Sequence, residues 1–392
     1  MGSERSEVVA VSERFRGLDG LRALAVLMVM SHNYGPAPGL ASAGRFSWFT
    51  AGYVGVTLFF VLSGFLITQR LIAEYRVTGG VNLVAFWKRR AARLLPALLL
   101  CLLLLVINNI RVHISARETG VALASALFYV FNLVSAQRMP DNPLGGQGWG
   151  ALWSLSVEEQ FYLIWPAPLL WAWTRYKPQG VLHRVGALTA ASALWCTLLW
   201  VRHASFLRLY LTTDTRAQSL FLGAGLAVVW HGFPELRAHT NRASRWLGPA
   251  CGLLVIAGIF GSEAKPADSP GWMLGPGVGL VSLLCSFIVF TAIEASSKAP
   301  ISRLFNTKVA VAIGQRSYGL YLFHVVAAAY FGNVHGGWFL SVAVTFVLAW
   351  ASYAMLEQPI VQWSARRARS RTHAMVFDSQ PKGNGPGPEG QP

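Results

Sequence analysis

Eleven apolar runs long enough, or nearly so, to cross a lipid bilayer lie along this chain, at approximately 18–35, 51–68, 94–110, 120–136, 152–173, 185–201, 216–231, 247–261, 273–294, 309–331 and 338–357. A helix needs about 20 predominantly apolar residues to span the hydrocarbon core, and there its backbone polar groups must be satisfied within the helix. Such a chain is predicted to fold as an all-α, polytopic membrane bundle. Charged residues make up only 13% of the 392 residues, against 54% hydrophobic. That is about half the charged content of soluble domains, roughly 25%. The formal net charge is +16, but the Lys and Arg residues form short clusters between the runs. They make no single basic face of the kind nucleic acid requires, so no nucleic-acid partner is expected.

Those clusters set the expected topology, because cytoplasmic loops of membrane proteins carry the excess of Lys and Arg. No signal peptide with a small-residue cleavage site precedes the first run. Arg5, Arg14, Arg16 and Arg22 flank its start, and Arg366, Arg367, Arg369 and Arg371 follow the last run. Both ends are therefore expected in the cytoplasm, which demands an even number of spans. Treating 120–136 as re-entrant or interfacial leaves about ten transmembrane helices in a bacterial-type plasma membrane. It also gathers Lys88/Arg89/Arg90/Arg93, Arg175/Lys177/Arg184, Arg237/Arg242/Arg245 and Lys298/Arg303/Lys308 on the inner side. The stretches 141–150 and 262–272 then lie outside, with Arg111, Arg117, Arg202 and Arg208 as exceptions to the charge rule. Residues 1–13 and 366–392 lack apolar content to bury and are expected to be disordered cytoplasmic segments flanking a membrane domain at 14–365. Cys101, Cys196, Cys251 and Cys285 each lie inside an apolar run and are expected to serve as small core residues.

Ionisable residues inside such runs are costly, which makes each a candidate for function. His32 follows the run Ala23–Met30, ten residues after Arg22, so the two lie about 15 Å apart along a helix. A neutral imidazole takes a proton from a hydroxyl near neutral pH, and the bland alternative is an interfacial histidine that only hydrogen-bonds. Glu158 and Glu159 enter another run together, with Tyr162 close behind. Adjacent helical positions face different directions, so one carboxylate can line a cavity while the other serves the helix N-terminus. Arg90 and Arg93 are three apart, a spacing that lets both guanidinium groups reach one phosphate-bearing ligand, or simply anchor the chain on anionic lipid. Tyr318, Tyr321 and His324 bring a second histidine into a late run. The histidines are not spaced as metal ligands, and no metal is expected.

In order along the chain, these segments resemble the acyltransferase family 3 membrane proteins, which include O-antigen acetylases and antibiotic-tailoring acyltransferases. The resemblance rests on Arg16–Val26 with His32, then Gly55–Thr68, Arg90-Ala91-Ala92-Arg93, Trp153–Tyr162 and Ser317–His324. It implies a ten-span bundle that takes an acyl group from acyl-CoA, a co-substrate rather than a permanently bound cofactor, and delivers it to a hydroxyl. The acceptor would be a carbohydrate or glycoside, either a cell-surface glycan or a glycosylated natural product such as a macrolide sugar. It also implies that His32 is catalytic, that Arg90 and Arg93 contact the donor, and that Arg22 supports activity. Glu158 or Glu159 is expected to orient His32 in the manner of a base-orienting relay. Tyr162, Tyr318 and Arg22 are candidates for stabilising the oxyanion, and His324 is a supporting residue. Direct transfer and an acyl-histidine intermediate both fit. Two departures stand out. Nine residues separate Arg22 from His32 where the family pattern usually has ten, and Thr57 stands where many relatives have Asp. The rival class is a multi-span transporter or flippase that uses the same buried His, Glu and Arg as a relay.

Overall fold

The computed structural model describes residues 16–35, 48–138, 144–235, 248–257, 259, 271–294, 300–332 and 337–360; the proposed terminal segments and the 262–270 part of an expected outer loop lie outside them. Helices in chain order are α1 (Arg16–Tyr34), α2 (Trp48–Thr78), α3 (Leu83–Arg111), α4 (Ala116–Leu127), α5 (Phe131–Ser135), α6 (Leu152–Ile164), α7 (Pro166–Arg175), α8 (Pro178–Val201), α9 (Phe206–Leu211) and α10 (Thr213–Gly232). They continue as α11 (Gly248–Ala257), a 3-10 turn at Gly271–Leu274, α12 (Pro276–Glu294), α13 (Pro300–Phe305), α14 (Lys308–Gln315), α15 (Ser317–Phe331) and α16 (Gly337–Ser352). A single π-helical turn, Tyr353–Glu357, ends the series.

Every described regular element is helical, as a chain must be whose backbone cannot turn to water in the bilayer core. Among the described residues, five helices are long and apolar enough to cross a membrane: α2, α3, α8, α12 and the helix from Gly337. Helices α1 and α10, of 19 and 20 residues, have comparable length but carry Asp19 with Arg22 and Asp214 with Arg216. The run at 152–173 is divided between α6 and α7 at Trp165, where Pro166 starts the second piece. The doubtful run at 120–136 breaks at Phe128–Val130, with Tyr129 at positive φ, into helices of 12 and 5 residues. Neither piece approaches the length of a span.

Small residues govern how closely the helices pack, since lipid supplies no hydrophobic drive to bring them together. At the crossing of α2 and α10, a Cβ on Gly64 would fall 1.9 Å from the Leu220 carbonyl oxygen, and one on Gly223 would fall 2.0 Å from that of Val61. The two backbones therefore touch through reciprocal glycines. At the start of α1, Gly20 meets Phe305 backbone and Gly314 meets the carbonyl of Asp19 in the same way. Helices α1 and α2 form the central antiparallel pair, Gly52 lying against His32 and Gly55 against the Ala25 carbonyl, with α10, α14 and α15 packed on them. Side-chain caps close several helix starts: Asn82 accepts from the Ala85 amide at 2.9 Å, and Thr307 from that of Ala310 at 3.2 Å.

Candidate active site

Helix α1 carries Arg22 near its start and His32 near its end, so the candidate site has two ends. At the basic end, four arginines from three helices, Arg22, Arg70, Arg90 and Arg93, lie within electrostatic reach of one another. Two of them have carboxylate partners. Arg22 pairs with Asp19 at 3.6 Å. Arg90 grips Glu159, its Nε 3.1 Å from Oε2 and its Nη2 2.6 Å from Oε1, a forked pair of the geometry that suits guanidinium best. The guanidinium also lies 3.3 Å from the centre of the Tyr162 ring, stacked as cation on π face. Tyr162 in turn offers its hydroxyl to Glu158 at 3.4 Å, beside Ser63 of α2, and its carbonyl receives the Trp87 indole N–H at 3.1 Å. Arg70 and Arg93 make no hydrogen bond or close ion pair among the described residues.

The two arginines expected to act alike are thus differently engaged. Arg90 is committed to α6, whereas Arg93 faces the buried carboxylate of Glu357 and shares its charge environment with Arg70. Arg70, Arg216 and Glu357 escaped the sequence argument for one reason: each stands at or just past the edge of an apolar run, where a charge reads as a boundary marker. Glu357 closes the π-helical turn, and neither of its carboxylate oxygens is hydrogen-bonded among the described residues. Arg216 is fully buried in the first turn of α10. Its Nη2 donates to Thr57 Oγ1 at 3.0 Å, and its Nε and Nη1 have no partner among the described residues. The rings of Tyr53, Phe60, Trp153 and Tyr210 surround it at 4.9 to 5.9 Å.

At the opposite end, the ring of His32 lies against Gly52, where an added Cβ would fall 2.4 Å from the His32 Cβ. Ser63, the α2 neighbour of Glu158, is eleven residues further along the same helix, a rise of about 16 Å. Glu158 and Glu159 therefore stand with the arginines and far beyond hydrogen-bond reach of His32. The expected relay of a glutamate orienting His32 is not assembled. The candidates for oxyanion donor are likewise engaged elsewhere: Tyr318 donates to the Leu94 carbonyl at 3.0 Å, Tyr162 to Glu158, and Arg22 pairs with Asp19. Around His32 stand instead Tyr34, whose hydroxyl donates to the Ser341 carbonyl at 3.2 Å, and His324, whose ring meets that of Tyr34 edge-on at 6.2 Å.

A stripe on α2 leads from the basic end to mid-helix. Between mid-helix and exposed Arg70 the partly accessible positions are Phe59, Ser63, Leu66 and Gln69, each three or four residues from the last and so on one face. Its neighbours are interior groups: Phe59 packs on the Tyr321 ring at 6.1 Å and Ser63 on Glu158 and Tyr162. The face is apolar at Phe59 and Leu66, polar at Ser63 and cationic at its mouth.

Together these features define a polytopic membrane protein whose interior links a basic mouth to a histidine at the other end. The chain belongs to acyltransferase family 3, whose acyltransferase domain matches residues 15–356. It is 34% identical over 363 residues to the peptidoglycan O-acetyltransferase OatA of Listeria monocytogenes, an alignment covering 88% of this chain and 55% of that protein. It is also 30% identical over 357 residues to the O-acetyltransferase OatA of Staphylococcus aureus, covering 88% of this chain and 57% of the relative. The chain thus spans little more than half the length of these relatives. No solved structure matches it.

Proposed function

We propose that this protein is a membrane O-acyltransferase that moves an acyl group from acyl-CoA to a hydroxyl of a carbohydrate or glycosylated small molecule. The observation that carries this reading is the α2 stripe, which runs from the basic mouth towards the His32 layer. Coenzyme A has the matching chemistry: phosphates for Arg70 and Arg93, and a narrow, uncharged arm of amides and methylenes for the mixed face formed by Leu66, Ser63 and Phe59. Arg90, tied to Glu159 and Tyr162, shapes the mouth. The relatives named for O-acetylation of peptidoglycan point to a sugar hydroxyl as acceptor.

In the reaction, His32 removes the proton of the acceptor hydroxyl and the oxygen attacks the thioester carbonyl. A new C–O bond forms, the C–S bond breaks, and the proton from His32 neutralises the departing thiolate. With the basic mouth in the cytoplasm and His32 towards the outer surface, the bundle has ten spans and both ends inside, so the donor enters from one side and the acceptor from the other. The direct test follows radiolabelled acetyl from acetyl-CoA into glycan and small-glycoside fractions, using membranes containing the wild type or His32→Ala at matched expression. Label that appears with the wild type and vanishes with the variant is the expected result. Equal incorporation by both removes His32 from the chemistry, and transport of unmodified substrate across sealed vesicles without label transfer makes the protein a transporter.

A further inference from the structure

A base in acyl transfer works best when a third group holds its ring in one tautomer and orientation, and the carboxylates expected to do this for His32 lie a helix segment away. Another group occupies the His32 layer. His324, on α15, is fully buried, and its Nδ1 lies 2.6 Å from the Tyr321 carbonyl oxygen. A carbonyl oxygen only accepts, so Nδ1 carries the hydrogen, and in the neutral imidazole this leaves Nε2 with its lone pair. That Nε2 is buried and has no hydrogen-bond partner among the described residues. An acceptor enclosed without a donor is costly, which asks for an account of why it is kept.

The surroundings of the ring answer. Tyr321 packs against it at 5.5 Å, and the Tyr321 hydroxyl is pinned by Ser154 and by the Ala151 carbonyl at 2.8 Å, so α6 and α15 hold this layer rigidly. From α1, Tyr34 meets it edge-on, and His32, two residues earlier, is within electrostatic reach. We propose that His324 is the positioning residue for His32: its Nε2 lone pair accepts the N–H of the His32 ring, orienting the other His32 nitrogen towards the acceptor hydroxyl and steadying the imidazolium that forms when that hydroxyl gives up its proton. The two rings are not hydrogen-bonded in the structure, and catalytic hydrogen bonds commonly tighten only in the complex with substrate. The proton gained by His32 passes to the departing thiolate, so His324 ends the cycle as it began.

This inference rests on the acyltransferase reading, and two variants separate it from that reading. In His324→Asn the amide takes the place of Nδ1 and keeps a donor for the Tyr321 carbonyl, but nothing replaces Nε2. In His324→Gln the amide reaches the Nε2 position with an acceptor oxygen and gives up the Nδ1 contact. Acetyl transfer from acetyl-CoA is measured with wild type, His32→Ala and both variants, each purified in detergent and matched for monodisperse protein. The expected result is kcat lowered about 100-fold or more in His324→Asn, the lower end for loss of acid–base function. His324→Gln should stay within about tenfold of wild type, with the KM for acetyl-CoA unchanged in both. Comparable activities of the two variants, retained or lost together, or Asn surpassing Gln, overturn the proposal while leaving the acyltransferase reading in place. If His32→Ala transfers label as well as the wild type, the acyltransferase reading fails in its use of His32, and this inference with it.

Discussion

Arg216 is the residue whose energetics are least ordinary. A guanidinium fully enclosed among four aromatic rings has the Thr57 hydroxyl as its hydrogen-bond partner and no carboxylate at close range among the described residues. Ring faces recover about 0.5 to 2 kcal/mol per cation–π contact, less than a well-placed carboxylate would. Thr57 Oγ1 is 3.0 Å from Nη2, so Thr57→Asp places an acid where the free charge is. This substitution is expected to raise the melting temperature in detergent, because a charged acceptor replaces the neutral hydroxyl that Arg216 already holds. A lower melting temperature would mean that the aromatic cage already compensates the cation. The contrast with Arg90 is instructive, since Arg90 has both a forked carboxylate and a ring face and is held in a single geometry.

At the scale of helices, α2 does two jobs with two faces. The face bearing Gly64 is closed by backbone contact with α10, and the opposing Gly223 leaves no room for a side chain. Gly223→Val should therefore separate the pair. The expected loss is about 1 to 3 kcal/mol, typical of forcing extra methyl groups into a packed contact, read as a lower melting temperature and lower yield of monodisperse protein. The other face, Phe59–Ser63–Leu66–Arg70, is the accessible stripe. Ser63→Trp fills it midway, beside Glu158 and Tyr162. The expected outcome is loss of acetyl transfer with folding intact, measured by label incorporation alongside thermal unfolding. A variant that folds and still transfers acetyl at the wild-type rate would show that the donor takes another path.

For the molecule as a whole, the bundle places its charge so that one end is a cationic mouth and the other a histidine layer, Arg22 and His32 standing about 15 Å apart along α1. Lys88 and Arg111 stand at the two ends of the single helix α3 and both are exposed. Their separation of 23 residues corresponds to about 35 Å of rise, more than the hydrocarbon thickness. The four native cysteines are all buried, so engineered thiols can be read against a quiet background. In intact cells a membrane-impermeant maleimide should label Arg111→Cys, and Lys88→Cys only after permeabilisation. The reverse pattern would turn the bundle over and put the basic mouth outside.

The membrane class, the α-helical content and the family were all legible in the chain itself, because apolar runs near twenty residues and the order of short motifs are local properties. The charge pattern set the 120–136 run apart as one that did not fit as a span, but its division into two short helices is a finding of the structure. What only the tertiary structure decided was partnership. Glu158 and Glu159 looked like companions for His32, yet the antiparallel course of α1 and α2 sets Gly52 beside His32 and Ser63 beside Glu158, and so hands the carboxylates to the arginines. Arg90 and Arg93 looked equivalent three residues apart, but Arg90 meets Glu159 and Arg93 does not. Arg70, Arg216 and Glu357 were hidden at the ends of apolar runs, and His324 was named as a supporting residue without a partner. Spacing along a helix determines which residues share a face. Which helix that face meets, and at what depth, depends on close contacts such as those at Gly20, Gly64 and Gly223, which join segments far apart in the chain.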